Sequence, residues 1–229
     1  MRKKDLEKLP VYDAHGVYRK AVNAVVGVAS AMGLGSGFFI DSKGVAVTNR
    51  HVVGECEDVT VYTHNREVHR GFVIRSFPEY DIAFVKVDVD RNKYIKLSGA
   101  NELMVGHAVY SIGYPVGISD VLTQGIYSRP EFIEIEGQYY MLHSAKIFKG
   151  SSGGPLLNKY ARAVGINTWG ITESDSNFAI PSYLISDLHD LLIKDENYPN
   201  FSYSVYCPAC GAQSYDFLQC DECGAVFEV

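Results

Sequence analysis

The chain has 229 residues, 47% apolar and 21% charged, with a net charge of −6. That balance suits one or two domains with a proper core and excludes a disordered or membrane-embedded chain. No lysine or arginine follows Lys194, whereas Asp195, Glu196, Asp216, Asp221, Glu222 and Glu228 do; such an acidic tail repels phosphate backbones and excludes nucleic acid as the expected partner.

Residues 1–20 read as a polar N-terminal arm. Residues 21–40 carry no charge and follow Arg19-Lys20, as an export or anchor helix would. Gly27, Gly33, Gly35 and Gly37 cut that run into short strands, and the polar leader is too long for a secretory signal. No membrane partner is expected, and the expected compartment is the cytosol. Strands are predicted over 22–28, 37–40, 45–48, 59–63, 72–76, 82–87, 108–112, 121–128, 132–135, 139–142, 163–168 and 177–180. Short strands at this spacing, with turn signals between them, make an all-β antiparallel barrel or sandwich. One helix is predicted over 183–194, with Leu184, Ile185, Leu188, Leu191 and Leu192 on one face and Ser182 as its cap. Residues 195–206, with Pro199 and Asn200, read as a linker.

The chemistry centres on Gly150-Ser151-Ser152-Gly153-Gly154-Pro155. A serine between glycines holds its hydroxyl on a tight turn, and the amides of Gly150 and Ser152 are placed to hold an oxyanion. A serine nucleophile needs a base and an orienting acid. Of seven histidines, His51 stands at the end of a predicted strand, in Thr48-Asn49-Arg50-His51-Val52-Val53. His64 and His69 read as solvated members of a polar hairpin, and His143 stays open as a neighbour of the site. Asp81 opens the apolar run 82–87, where a carboxylate needs donors to stay charged; it can orient His51. The order His51, Asp81, Ser152 excludes the α/β-hydrolase elbow, in which acid and histidine follow the serine.

With Gly35-Ser36-Gly37-Phe38, Tyr80-Asp81-Ile82-Ala83 and Phe178-Ala179-Ile180-Pro181-Ser182, these segments resemble the HtrA/Deg branch of trypsin-like serine peptidases. The resemblance covers roughly residues 17–194 and implies a double six-stranded antiparallel β-barrel with the active site between the barrels and a C-terminal helix. It implies peptide-bond hydrolysis of protein or peptide substrates through an acyl-enzyme. His51 would be the base, Asp81 its orienter and Ser152 the nucleophile, with Thr168-Trp169-Gly170 pairing the substrate backbone. It also puts Lys146, six residues before Ser152, at the floor of the primary pocket, where a lysine favours an acidic side chain; with Lys146 turned to water, the resemblance implies aliphatic residues instead. Ser151 replaces the family's usual asparagine, which leaves the amide in place. No PDZ pattern follows the peptidase segment, residues 21–194.

Residues 207–229 instead hold Cys207-Pro208-Ala209-Cys210-Gly211 and Cys220-Asp221-Glu222-Cys223-Gly224. Paired C-x-x-C-G turns are the signature of a zinc ribbon, with four thiolates closing a structural site around one zinc ion. So short a domain has too little core to fold without such a staple. The expected function is a serine endopeptidase whose ribbon recruits or senses a protein partner. The alternative is a catalytically silent, peptidase-shaped binding module with the ribbon as adaptor.

Overall fold

Asp13 starts the first ordered element. Its carboxylate accepts the Gly16 amide at 2.8 Å and caps α1, Ala14–Ala21, which buries Val17 and Ala21. The computed structural model describes residues 8–89, 92–98, 102–115, 120–129, 131–171, 176–194, 205–206, 213–214 and 223. The chain divides into two compact units, Met1–Asp190 and Leu191–Val229.

In the first unit, β1 (Val25–Ser30), β2 (Gly33–Phe39), β3 (Val45–Asn49), β4 (Asp58–Thr63), β5 (Val68–Phe77) and β6 (Ile82–Val87) form a closed barrel in the order β1-β2-β3-β6-β5-β4. Alternation sets its interior: Val26 and Val28, Val59 and Val61, and Ala83, Val85 and Val87 all point into one core. The run 82–87 is apolar on both faces because Phe84, on the other face, packs against Phe77 and His189. Each such buried side chain contributes roughly 1.5–3 kcal/mol. An exposed pair such as Arg70–Asp58 contributes about 0–1 kcal/mol, so burial holds the barrel.

A second sheet follows: β7 (Ala108–Gly113), β8 (Val121–Ile126), β9 (Ile133–Ile135), β10 (Gln138–His143), β11 (Pro155–Leu157), β12 (Ala163–Ile171) and β13 (Ser176–Pro181). Its order is β8-β7-β11-β12-β13-β10-β9. Here the expectation of two six-stranded barrels needs refinement: this is a seven-stranded sheet whose first six strands close only through a single bridge. It curls until Tyr127, just past β8, bridges His143 at the end of β10, and β9 extends beyond that seam. Val109, Tyr127, Met141, Leu156, Val164 and Ala179 fill the space inside. Helix α3, Ser182–Ile193, follows β13 directly and buries Ile185 and Leu188.

In the second unit, β14 (Val205–Tyr206) pairs antiparallel with β15 (Gln213–Ser214). The cysteines Cys207, Cys210 and Cys220 lie outside the described residues; Cys223 is described and exposed.

Candidate active site

The turn between β10 and β11 carries Ser152. Gly150 and Gly153 have φ of 95° and 89°, a region where a side chain is strained. At Gly153 a Cβ would also stand 2.0 Å from the Ser36 carbonyl oxygen, so only glycine fits. The turn is braced from the barrel. Ser36 donates its amide to the Ser152 carbonyl at 2.8 Å and its hydroxyl to the Gly150 carbonyl at 2.6 Å. Thr48 in turn donates its hydroxyl to the Ser36 carbonyl at 2.6 Å. Ser151 is buried and ties the turn inward, donating its amide to the Phe148 carbonyl at 2.8 Å. Among the described residues the amides of Gly150 and Ser152 have no protein acceptor. Two adjacent unpaired donors beside a hydroxyl are what an oxyanion requires.

His51 sits in the single helical turn α2, Arg50–Val53. Asp81 adopts the left-handed conformation at φ 52°, a cost of the order of 1 kcal/mol for a non-glycine residue. Its own hydrogen bonds offset that cost. The Asp81 carbonyl accepts the Arg50 amide at 3.1 Å and the Asn49 side-chain amide at 3.0 Å. Its carboxylate accepts the His51 amide at 2.9 Å through Oδ1 and His51 Nδ1 at 2.8 Å through Oδ2. A carboxylate only accepts, so the proton is on Nδ1 and Nε2 is left as a base. The Asp81 side chain is 22% exposed, that of His51 50%: the acid is sheltered and the imidazole faces the cleft.

Thr168 joins the two halves. The β12–β13 register shifts between Asn167 and Trp169, leaving Thr168 as the extra residue of a bulge, a device that re-aims a side chain. Its hydroxyl donates to Asp81 Oδ2 at 3.1 Å, and its carbonyl accepts the Ser152 hydroxyl at 2.7 Å. Among the described residues no hydrogen bond joins Ser152 to His51; the serine hydroxyl must turn away from Thr168 to reach the imidazole. Past Asn167, β12 has no β11 partner, so Trp169, Gly170 and Ile171 offer a free edge beside Ser152.

His51, Ser152, Lys146, Thr168, Trp169 and Gly170 all line one cavity of about 420 Å³. The structure thus brings His51 and Ser152 onto one space with the substrate-contacting residues; Asp81 reaches it through His51, and Gly150 shares the serine's turn but is buried and does not line the cavity. Trp169 is held there by stacking on Phe178, with centroids 4.0 Å apart. His143 is elsewhere: fully buried in the second sheet, with no hydrogen-bond partner for either ring nitrogen. Burial lowers its pKa to about 4, with the Ala145 backbone pulling the other way. His64 corrects a second expectation. It is not simply solvated, because its Nδ1 pairs with Asp120 at 2.7 Å, and that carboxylate is 2% exposed. Sequence reasoning also passed over Ser36, Thr48 and Asn49; their one local signal is polarity within strands whose neighbours are apolar.

Comparison with known proteins adds three findings. Residues 35–166, more than half the chain, match the family described as "Trypsin-like peptidase domain". The chain is 34% identical over 171 residues to a Pseudomonas putida protein named "Probable periplasmic serine endoprotease DegP-like", covering 72% of this chain and 36% of the relative. A Buchnera aphidicola protein of the same name is 37% identical over 164 residues, covering 68% and 35%. The chain therefore spans about a third of the length of these relatives. A crystal structure of the serine endoprotease from Yersinia pestis superposes with a TM-score of 0.70 at 29% identity, covering 82% of this chain and 69% of that one. The relatives' names overturn the cytosolic expectation. Neither a missing charge pattern nor a run of thiols reports a compartment as directly as relatives named as probable periplasmic proteins.

Proposed function

The chain belongs to the trypsin-like peptidase family, and from that premise we propose that it is a serine endopeptidase using Ser152, His51 and Asp81. The single observation that carries this is the shared cavity: His51, held by Asp81, and Ser152 line one space, and the amides of Gly150 and Ser152 in the serine's turn are unpaired among the described residues. The Ser152 oxygen attacks the substrate carbonyl carbon as its proton passes to His51 Nε2. The Gly150 and Ser152 amides hold the oxyanion, and Asp81 stabilises the imidazolium. Collapse breaks the C–N bond; the amine leaves with the proton from His51, and the ester remains on Ser152. Water, deprotonated by His51, then releases the acid and restores the serine. The free edge at Trp169 and Gly170 pairs the substrate backbone. The relatives' names favour the periplasm as the place of action. A fluorophosphonate probe tests the reading: it should label Ser152 and lose its target in Ser152→Ala. A folded protein that neither reacts with the probe nor cuts peptides is the silent binding module instead.

The same proposal gives the second unit one structural zinc ion on Cys207, Cys210, Cys220 and Cys223. Two observations support it. The spacing lets each pair of thiols reach one metal, and in the sequence Cys207 and Cys210 fall between β14 and β15, which pair antiparallel. Zinc would hold the fold of a segment with little core and leave no site for water. We assign this unit the recruitment of a protein partner, because its acidic surface suits a basic patch. An oxidising compartment makes two disulfides the competing chemistry. Metal analysis decides: one zinc per chain, with four thiols besides Cys56 titrating after chelation, supports the ribbon, and no zinc with only the Cys56 thiol titrating rejects it. Removing residues 195–229 should spare hydrolysis of a short peptide and slow cleavage of a protein target, since tethering raises local concentration.

A further inference from the structure

We infer that the cavity beside Ser152 selects an acidic side chain on the residue that supplies the scissile carbonyl, with Lys146 and Lys149 as the specificity-determining groups. The inference rests on the peptidase reading above and names its substrate class. Two lysines line the cavity, and no aspartate or glutamate is among its lining residues. Among the described residues neither lysine forms an ion pair with a carboxylate. Asp81 does not neutralise them, because both of its oxygens already serve His51, and Thr168 shares one.

Placement is as important as charge. The Lys146 carbonyl accepts the Thr123 hydroxyl at 2.6 Å, which pins its backbone to β8. Its ammonium lies 5.7 Å from the centroid of the Phe148 ring, itself part of the cavity wall. A cation over an aromatic face is held there rather than left to wander. Ile147, Trp169 and Ile171 make up more of the wall, and apolar walls strengthen the attraction between a lysine and an entering carboxylate. A substrate whose carbonyl oxygen rests on the Gly150 and Ser152 amides delivers the adjoining side chain into this space. Both lysines are exposed, so each resembles a surface ion pair more than a buried one, and the discrimination is moderate.

The test uses the full chain and four quenched peptides that differ only in glutamate, glutamine, valine or lysine at that residue, with probe labelling of Ser152 alongside. The glutamate peptide should exceed the glutamine peptide in kcat/KM by about five-fold, the upper end for one exposed ion pair. The advantage should shrink in high salt as the charges are screened. The double variant Lys146→Glu, Lys149→Glu should reverse the order, preferring a lysine peptide to the glutamate one. These arms report the net potential of the cavity, whatever Glu173 and Asp175 of the β12–β13 connection contribute. Equal turnover of the glutamate, glutamine and valine peptides, with Ser152 labelled, overturns the inference and leaves the peptidase reading standing. Neither labelling nor cleavage overturns both.

Discussion

Among the described residues two histidine–aspartate pairs of the first unit are joined through Nδ1, and their differences are more instructive than their likeness. In each, Nδ1 meets a carboxylate oxygen, at 2.8 Å for His51–Asp81 and 2.7 Å for His64–Asp120. His51 of the first pair lines the cavity that Ser152 also lines. The second borders a larger groove of about 630 Å³, lined by Leu34, Tyr62, Val68 and Tyr114 and without a serine or cysteine in its wall. The Asp120 carboxylate is almost wholly buried, and its other oxygen takes the Tyr18 hydroxyl from α1. Burial and Asp120 push the Tyr18 hydroxyl up to about 12. This second pair therefore ties three pieces together: α1, the barrel turn bearing His64 and the strand entrance at Asp120. A paired imidazole is not in itself catalytic; the groups facing its free nitrogen decide.

The comparison can be broken most severely at the nucleophile. Ser152→Ala should cut kcat by roughly a million-fold while leaving thermal unfolding unchanged, and Asp81→Asn should cost about 10⁴-fold by mis-setting the His51 tautomer; peptide hydrolysis measures both. The corresponding change in the second pair, Asp120→Asn, should instead cost about 3 kcal/mol of stability in urea, because the His64 and Tyr18 donors lose a buried carboxylate acceptor. The folded fraction should still label at Ser152. If folded Asp120→Asn loses labelling, the distinction between the pairs fails.

A third histidine sharpens the contrast, because His143 has no carboxylate at all. Burial holds its folded pKa near 4, below the 6.5 of the unfolded chain. Between those values the unfolded state binds more protons, so stability is full above about pH 6.5 and is lost as pH falls towards 4. By pH 5 the loss should be about 2 kcal/mol. Urea unfolding across that range checks it, and His143→Leu should flatten the dependence. The smallest effect belongs to Tyr18→Phe, which removes one of the two donors to Asp120. About 1 kcal/mol is expected in the same assay, with hydrolysis unaltered.

Local features of the chain determined a good deal. Alternating apolar residues and turn signals placed most strands and the helix that begins at Ser182, because those preferences act over a few residues. Gly150 to Gly154 announced a strained turn around a serine, since glycine alone tolerates its backbone angles, and the order of His51, Asp81 and Ser152 named the chemistry. What the tertiary structure alone decided lies in contacts between distant residues. Thr168 meets Asp81 across 87 positions, and Tyr18 meets Asp120 across 102; nothing near either residue marks its partner. The bulge that aims Thr168 arises from a register fault against β13, and the second sheet closes at one bridge between Tyr127 and His143. Short-range propensity carries no record of register, and burial of a charge is set by whatever the rest of the chain packs over it. That is why His64 looks solvated in sequence and turns out to be paired with a buried carboxylate.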